Sequence, residues 1–161
     1  MEKQRVLGLI VNGNGHLLMG RSLAKDSFDR VKAPGCLVPD GDDILTTLVE
    51  RIEDEVDIIV DVQDLTLVAH NIYTVGDLDY GTRVSVYLAH LYQGEPRETA
   101  FMHDVGWWNI QDGIPPHTYP DDCYWLESVI NGHRLTTRIH YDDSQLLTCT
   151  ILAQEPLAAM V

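Results

Sequence analysis

The sequence predicts an α+β fold in one domain spanning residues 1–161, and three observations lead there. Apolar runs of strand length recur along the chain, and two stretches space their apolar residues as helices do. No internal repeat and no linker divides them. With 161 residues, 45% of them hydrophobic, the chain can bury one sizeable core.

The elements follow in order. "QRVLGLIV" and "HLLMGR" read as strands joined by Asn12-Gly13-Asn14-Gly15, a hairpin signal because Gly and Asn tolerate positive φ. A phosphate-cradling loop is the rival reading, but no Gly-Lys-Ser/Thr follows and the next element is a strand. Residues 22–42 lack periodicity and contain Pro34, Gly35, Pro39 and Gly41, which predicts a long loop. "DDILTTLVERIEDEV" then places Ile44, Leu45, Leu48, Val49, Ile52 and Val56 on one helical side, with Asp42 or Asp43 as N-cap. Strands are expected at 65–73 and 82–92 around the turn-rich "GDLDYG", followed by a shorter one, "VGWWNI". "PDDCYWLESVING" predicts a second helix, capped by Asp121 or Asp122 and stopped at Asn131-Gly132. Two last strands, 134–141 and 145–154, flank Asp142-Asp143-Ser144.

Charge and cysteine usage narrow the function classes. Twenty-five acidic and 11 basic residues leave a net charge of −14, which repels nucleic-acid polymers. A small nucleotide remains admissible, since a divalent cation can bridge carboxylates to phosphates. No apolar run approaches the ~20 residues of a membrane span, and "MEKQRVLGLI" lacks a signal-peptide core. The expectation is a cytoplasmic protein without a membrane partner. Cys36, Cys123 and Cys149 form no CxxC, and the seven histidines form no HExxH, which argues against disulfides and structural zinc.

The stretch "VERIEDEVDI", residues 49–58, sets five carboxylates around Arg51. At about 100° per residue, Glu50, Glu53 and Asp57 fall opposite the apolar stripe, as a solvated face would. Arg51, Asp54 and Glu55 share an arc at its edge, where carboxylates are partly buried beside the preceding loop. Two adjacent acids with a third three residues earlier would ligate Mg²⁺ from one helix, and the third position here is Arg51.

"PGCLVPDGDDILTTLVERIEDEVDI" resembles a degenerate Nudix box, whose family form is G-x5-E-x7-R-E-U-x-E-E-x-G-U, with U aliphatic. In register, Cys36 replaces the first Gly, Asp42 the first Glu, and Glu50-Arg51 the Arg-Glu pair. Ile52 and Ile58 match the aliphatic positions, Asp54-Glu55 stands for Glu-Glu, and Asp57 replaces Gly. The second half is similar to the MutT-like branch that hydrolyses oxidised-purine nucleoside triphosphates. Its Q-G-x-P turn, aromatic pair, Ile-Pro, and aromatic-Pro-Asp-Asp with a following Trp are met here, the last by Tyr119, Pro120, Asp121, Asp122 and Trp125.

The resemblance implies a mixed β-sheet sandwiched between helices, and a Mg²⁺-dependent (or Mn²⁺-dependent) nucleotide diphosphatase. Asp54 and Glu55 would be its metal ligands, and Asp54, Glu55 and Arg51 its catalytic positions. With only two helix ligands the ion would be held weakly. The family's loop glutamate aligns near Phe101, with Glu98 or Asp104 as the candidates to replace it. The pair that braces the family's loop is here Glu50 and Asp42, two like charges. Arg51 is either a surrogate cation or a phosphate ligand.

At the base end, the resemblance turns Asp121 and Asp122 to the purine edge, where adjacent carboxyls can share a proton so that one donates and one accepts. The plainer reading makes both mere helix caps. Lys32 stands where the family branch reads the base with Asn; it could meet a purine acceptor or a phosphate, or be a solvated loop lysine. Tyr119 and Trp125 could stack on the base or simply be core. The leading expectation is a Nudix-type hydrolase of oxidised purine nucleotides with a degraded metal site. Its rival is a non-catalytic nucleotide-binding module on the same fold, and the weakest reading is an interaction scaffold.

Overall fold

A computed structural model describes residues 3–77, 81–143 and 145–157. Part of the expected turn at 76–81, residues 78–80, lies outside them, as does Ser144 of the last turn. The architecture is α+β, with a six-stranded mixed sheet, a three-stranded antiparallel sheet and two helices among the described residues.

The strands are β1 (Lys3–Ile10), β2 (Leu17–Ser22), β3 (Val31–Lys32), β4 (Gly35–Leu37), β5 (Thr66–Val75), β6 (Thr82–Ala89), β7 (Met102–Trp108), β8 (His133–Asp142) and β9 (Gln145–Pro156). The larger sheet runs β4-β1-β6-β5-β8-β9, with β1–β6 and β5–β8 parallel and the other pairs antiparallel. The smaller one runs β3-β2-β7. Helix α1 (Ile44–Val56) and helix α2 (Asp122–Ile130) lie on opposite sides of β1.

The alternation of β1 explains that sandwich. Val6 and Ile10 join Leu48, Ile52 and Val56 of α1 in one core, whereas Leu9 joins Trp125, Leu126 and Val129 of α2 in the other. Gly8 sits where α1 crosses closest: a Cβ there would stand 2.9 Å from Ile52 Cδ1. Both ends of α1 follow their local chemistry. Asp43 caps it through its Oδ2, which accepts from the Thr46 N–H at 2.9 Å, and Asp57 ends it in the left-handed conformation at φ 61°.

Two expectations are corrected. Residues 12–15 do turn, held by Asn12 Oδ1 accepting from the Asn14 and His16 amides. Yet β1 and β2 are not a hairpin of one sheet: beyond the single bridge Val11–Leu17 they part into different sheets. Both edges of β1 are already taken by β4 and β6, and both edges of β2 by β3 and β7. The "loop" at 22–42 contains β3 and β4, of two and three residues, too short to print a periodicity on the sequence. No helix among the described residues is long and apolar enough to cross a membrane.

Candidate functional site

A cavity of about 440 Å³ opens between the N-terminal half of α2 and the strands beneath it. Lys32, Tyr119, Asp122 and Trp125 line it, together with Arg5, Tyr73 and apolar side chains from β1 and β2. Four of the five substrate-binding positions read from the sequence therefore meet at one place. The fifth, Asp121, stands behind them.

Asp121 is 1% exposed and spends its carboxylate on the protein. It accepts from Tyr73 Oη at 2.7 Å, from Trp125 Nε1 at 2.8 Å and, by a short bond, from Tyr141 Oη. Burial and the Asp121 carboxylate push both phenols above the usual tyrosine value, so each keeps the proton it donates. The capping reading fails for this residue: Asp121 occupies the N-cap position of α2 with helical backbone angles, and its side chain caps nothing. Nor do the two acids face the cavity as a pair. Asp121 orients Trp125, and Asp122 alone lines the opening.

Asp122 is 8% exposed, and no side chain among the described residues donates to its carboxyl; its one hydrogen bond is to the Tyr119 backbone. Burial raises its pKa well above the ordinary carboxyl value, and the neighbouring Asp121 charge raises it further, against the weaker opposing pull of that bond. Asp121 receives three side-chain donors and Asp122 none, and burial favours the neutral form of Asp122. In that form it faces the cavity as an O–H donor with acceptor capacity to spare.

Lys32 is a correction of the solvated-loop reading. Its pairing with β2 draws it inside, to 9% exposure. Burial depresses the ammonium pKa, opposed by the negative charge of Glu55. Tyr119 carries the Arg30 guanidinium over its ring at 5.1 Å, and Arg30 is fixed by donating to the Thr118 carbonyl at 3.1 Å. Trp125 is a wall of the cavity whose N–H is already engaged.

At α1 the three residues of the shared arc separate. Glu55 turns in and is 1% exposed; Asp54 is exposed. Glu55 Oε1 accepts from the Gly35 N–H at 3.0 Å and from Arg51 Nε at 3.1 Å. Arg51 in turn lies over the Phe101 ring, 5.1 Å from its centre. Where the family pattern calls for two glutamates, the chain thus seats an arginine on an aromatic ring. Glu98 and Asp104 are engaged elsewhere: Glu98 Oε2 accepts from the Asp104 N–H at 2.8 Å, and Asp104 pairs with Arg21 at 3.2 Å. Asp42 and Glu50 are both exposed, and neither has a bracing partner among the described residues. No group of three His, Cys, Asp or Glu side chains among the described residues is arranged to hold a metal ion. Of the two metal-ligand positions read from the sequence, Asp54 is exposed and Glu55 is already bonded to arginine, a pair that does not by itself fit a hard divalent cation.

Tyr73, Tyr141 and Arg5 complete the site, and sequence reasoning missed them. The tyrosines stack at 6.4 Å from the ends of β5 and β8, strands paired in parallel, and nothing local in the sequence announces that pairing.

No family profile and no curated protein matches this chain in sequence. Solved structures do match. The mutator MutT protein of Bacillus halodurans aligns with TM-score 0.78 at 17% identity, over 93% of this chain and 97% of its own. A MutT NUDIX hydrolase from Burkholderia pseudomallei gives TM-score 0.64 at 22% identity, over 74% and 92%. A bifunctional NMN adenylyltransferase/ADP ribose pyrophosphatase from Francisella tularensis, complexed with AMP and a Mn ion, gives 0.56 at 17%, over 81% and 41%. The chain has the fold of the MutT/Nudix hydrolases.

Proposed function

We propose that this Nudix-fold chain is a purine-nucleotide-binding protein whose α1 no longer holds the catalytic cation. The observation behind it is the division of labour between the two aspartates. Asp121 fixes the wall of the cavity, and Asp122, in the neutral form that burial favours, presents a donor and an acceptor side by side, the complement of a purine edge that offers both. Trp125 and Tyr119 supply flat apolar surface for the ring, and Lys32 supplies a buried cation. Oxidised purines are the ligand class favoured by the sequence resemblance around Tyr119, Asp121, Asp122 and Trp125. At α1, Arg51 already neutralises Glu55, which supports binding in place of Mg²⁺-centred hydrolysis.

The second reading is a slow Mg²⁺- or Mn²⁺-dependent hydrolase, favoured by the exposed Asp54 and by the likeness in fold to a MutT NUDIX hydrolase. Thermal unfolding with a panel of guanine nucleotides, oxidised and not, in Mg²⁺ and in EDTA, separates the two. Saturation at a hundred times Kd stabilises by about 2.7 kcal/mol, a shift of roughly 5–10 °C for a chain of this size. Equal stabilisation in EDTA, without phosphate or pyrophosphate release, is the expected result. Stabilisation that requires the metal and is accompanied by turnover would establish the hydrolase.

A further inference from the structure

Beside the base cavity lies a second one of about 240 Å³, and the two share Arg5, Asp26, Lys32, Gly35 and Cys36. Three cations from three different elements border it: Arg5 of β1, Lys32 of β3 and Arg51 of α1. Two carboxylates face them, and each already has its partner. Arg5 Nη1 lies 3.0 Å from Asp26 Oδ2, and Arg51 Nε lies 3.1 Å from Glu55 Oε1.

That pairing leaves Lys32 over. Its ammonium, on a residue nine-tenths buried, donates no hydrogen bond to any described residue. An ammonium on a largely buried residue, opening onto the pocket without a bonded partner, gains a charge-assisted bond when an anion arrives. The pocket is locally one charge positive inside a chain of net charge −14. Each guanidinium also keeps N–H groups beyond the one that meets its carboxylate, since arginine has five. A divalent cation placed here would meet three positive groups and two neutralised carboxylates.

We propose that Arg5, Lys32 and Arg51 form a metal-independent phosphate subsite, which seats the single phosphate of a purine nucleoside monophosphate whose base occupies the adjoining cavity. The assignment rests on the base-binding reading above, because continuity of the two cavities is what attaches the phosphate to a purine. It selects the monophosphate against the triphosphate. One phosphate carries about two charges at neutral pH, which one unpaired ammonium and the spare guanidinium N–H groups can satisfy. The longer chain would bring more charge past Asp26 and Glu55, and the pocket lining holds no cation beyond these three to neutralise it.

Titration calorimetry in EDTA with guanosine, its 5′-monophosphate, its 5′-triphosphate and inorganic phosphate tests this, run also with the 8-oxo forms. The monophosphate should bind about tenfold or more tighter than both nucleoside and triphosphate, as charge-assisted bonds to a buried cation allow. Added salt should shrink that advantage. In Lys32→Met, which keeps the buried stem, and separately in Arg5→Gln, whose partner Asp26 is exposed, the monophosphate-to-nucleoside ratio should collapse toward one. Equal affinity for nucleoside and monophosphate in the natural protein would overturn the subsite and leave the base cavity standing. Stabilisation by inorganic phosphate that Lys32→Met abolishes, with no nucleoside binding, would support the subsite and remove the purine. No binding of any of the four overturns both.

Discussion

Replacing Asp122 by Asn isolates one buried carboxyl and predicts a pH-dependent gain in stability. No side chain among the described residues donates to this carboxyl, and burial, aided by Asp121, raises its pKa well above the ordinary value. The folded state therefore binds this proton more tightly than the unfolded chain does. Its contribution to stability is complete below the unfolded aspartate value of about 3.9 and is lost as pH rises toward the folded value. Within that window each pH unit costs the natural protein about 1.4 kcal/mol relative to a neutral isostere. The stability difference, Asp122→Asn minus natural protein, should thus climb as pH rises above the unfolded value, by up to that amount per unit. Urea unfolding would register it as a midpoint shift of about 0.5–1 M, for slopes of roughly 1.4–3 kcal/mol per molar. The amide also keeps an N–H donor, so purine-nucleotide affinity at neutral pH should survive in Asp122→Asn and fall at least about tenfold in Asp122→Leu, which offers no polar atom. Two parallel stability curves from pH 4 to 8 would show that Asp122 titrates as an ordinary surface acid. Loss of affinity in Asp122→Asn would show that the carboxylate, not the acid, meets the ligand.

Asp121→Ala strands Tyr73, Trp125 and Tyr141, and should cost about 3–5 kcal/mol by urea unfolding, against about 1–2 for Asp121→Asn, which keeps an acceptor. A loss below about 1 kcal/mol in Asp121→Ala would contradict the three-donor arrangement. Gly8→Ala should cost about 1–2 kcal/mol, because the new methyl meets Ile52 Cδ1 at 2.9 Å and Leu48 Cδ1 at 3.2 Å; a neutral result would mean that these two terminal methyls turn aside without loss of packing. The double exchange Glu50→Arg with Arg51→Glu rebuilds the family's residue order on α1. It should raise Mg²⁺-dependent nucleotide hydrolysis at least tenfold over the natural chain, about 1.4 kcal/mol in barrier, with Arg51→Glu alone gaining less. Should the natural protein already turn over well and Arg51→Glu abolish it, Arg51 is a working phosphate ligand in a live enzyme.

Local chemistry made α1 legible in the sequence. The apolar period of Leu48, Ile52 and Val56, the Asp43 cap and the left-handed Asp57 are all decided within a turn or two of chain. The same holds for the stop of α2 at Asn131-Gly132 and for the long strands, whose alternation covers enough residues to be read. Strands of two and three residues leave no such trace, so 22–42 read as loop, and Lys32, which β3 carries inside, read as exposed or as a ligand with nothing to decide between them. Helical arithmetic placed Arg51, Asp54 and Glu55 on one arc. Which acid turned inward was decided by the Gly35 N–H, twenty residues away in sequence, which only the β1–β4 pairing brings to Glu55. The aspartate pair shows the same division. Tyr-Pro-Asp-Asp marks the place, but the roles of its two acids come from Tyr73 and Tyr141, 48 and 20 residues distant and delivered by β5 and β8. A sequence records torsional preference and periodicity, which are short-range; burial and the partners of a charge are set by the sheet that assembles around it.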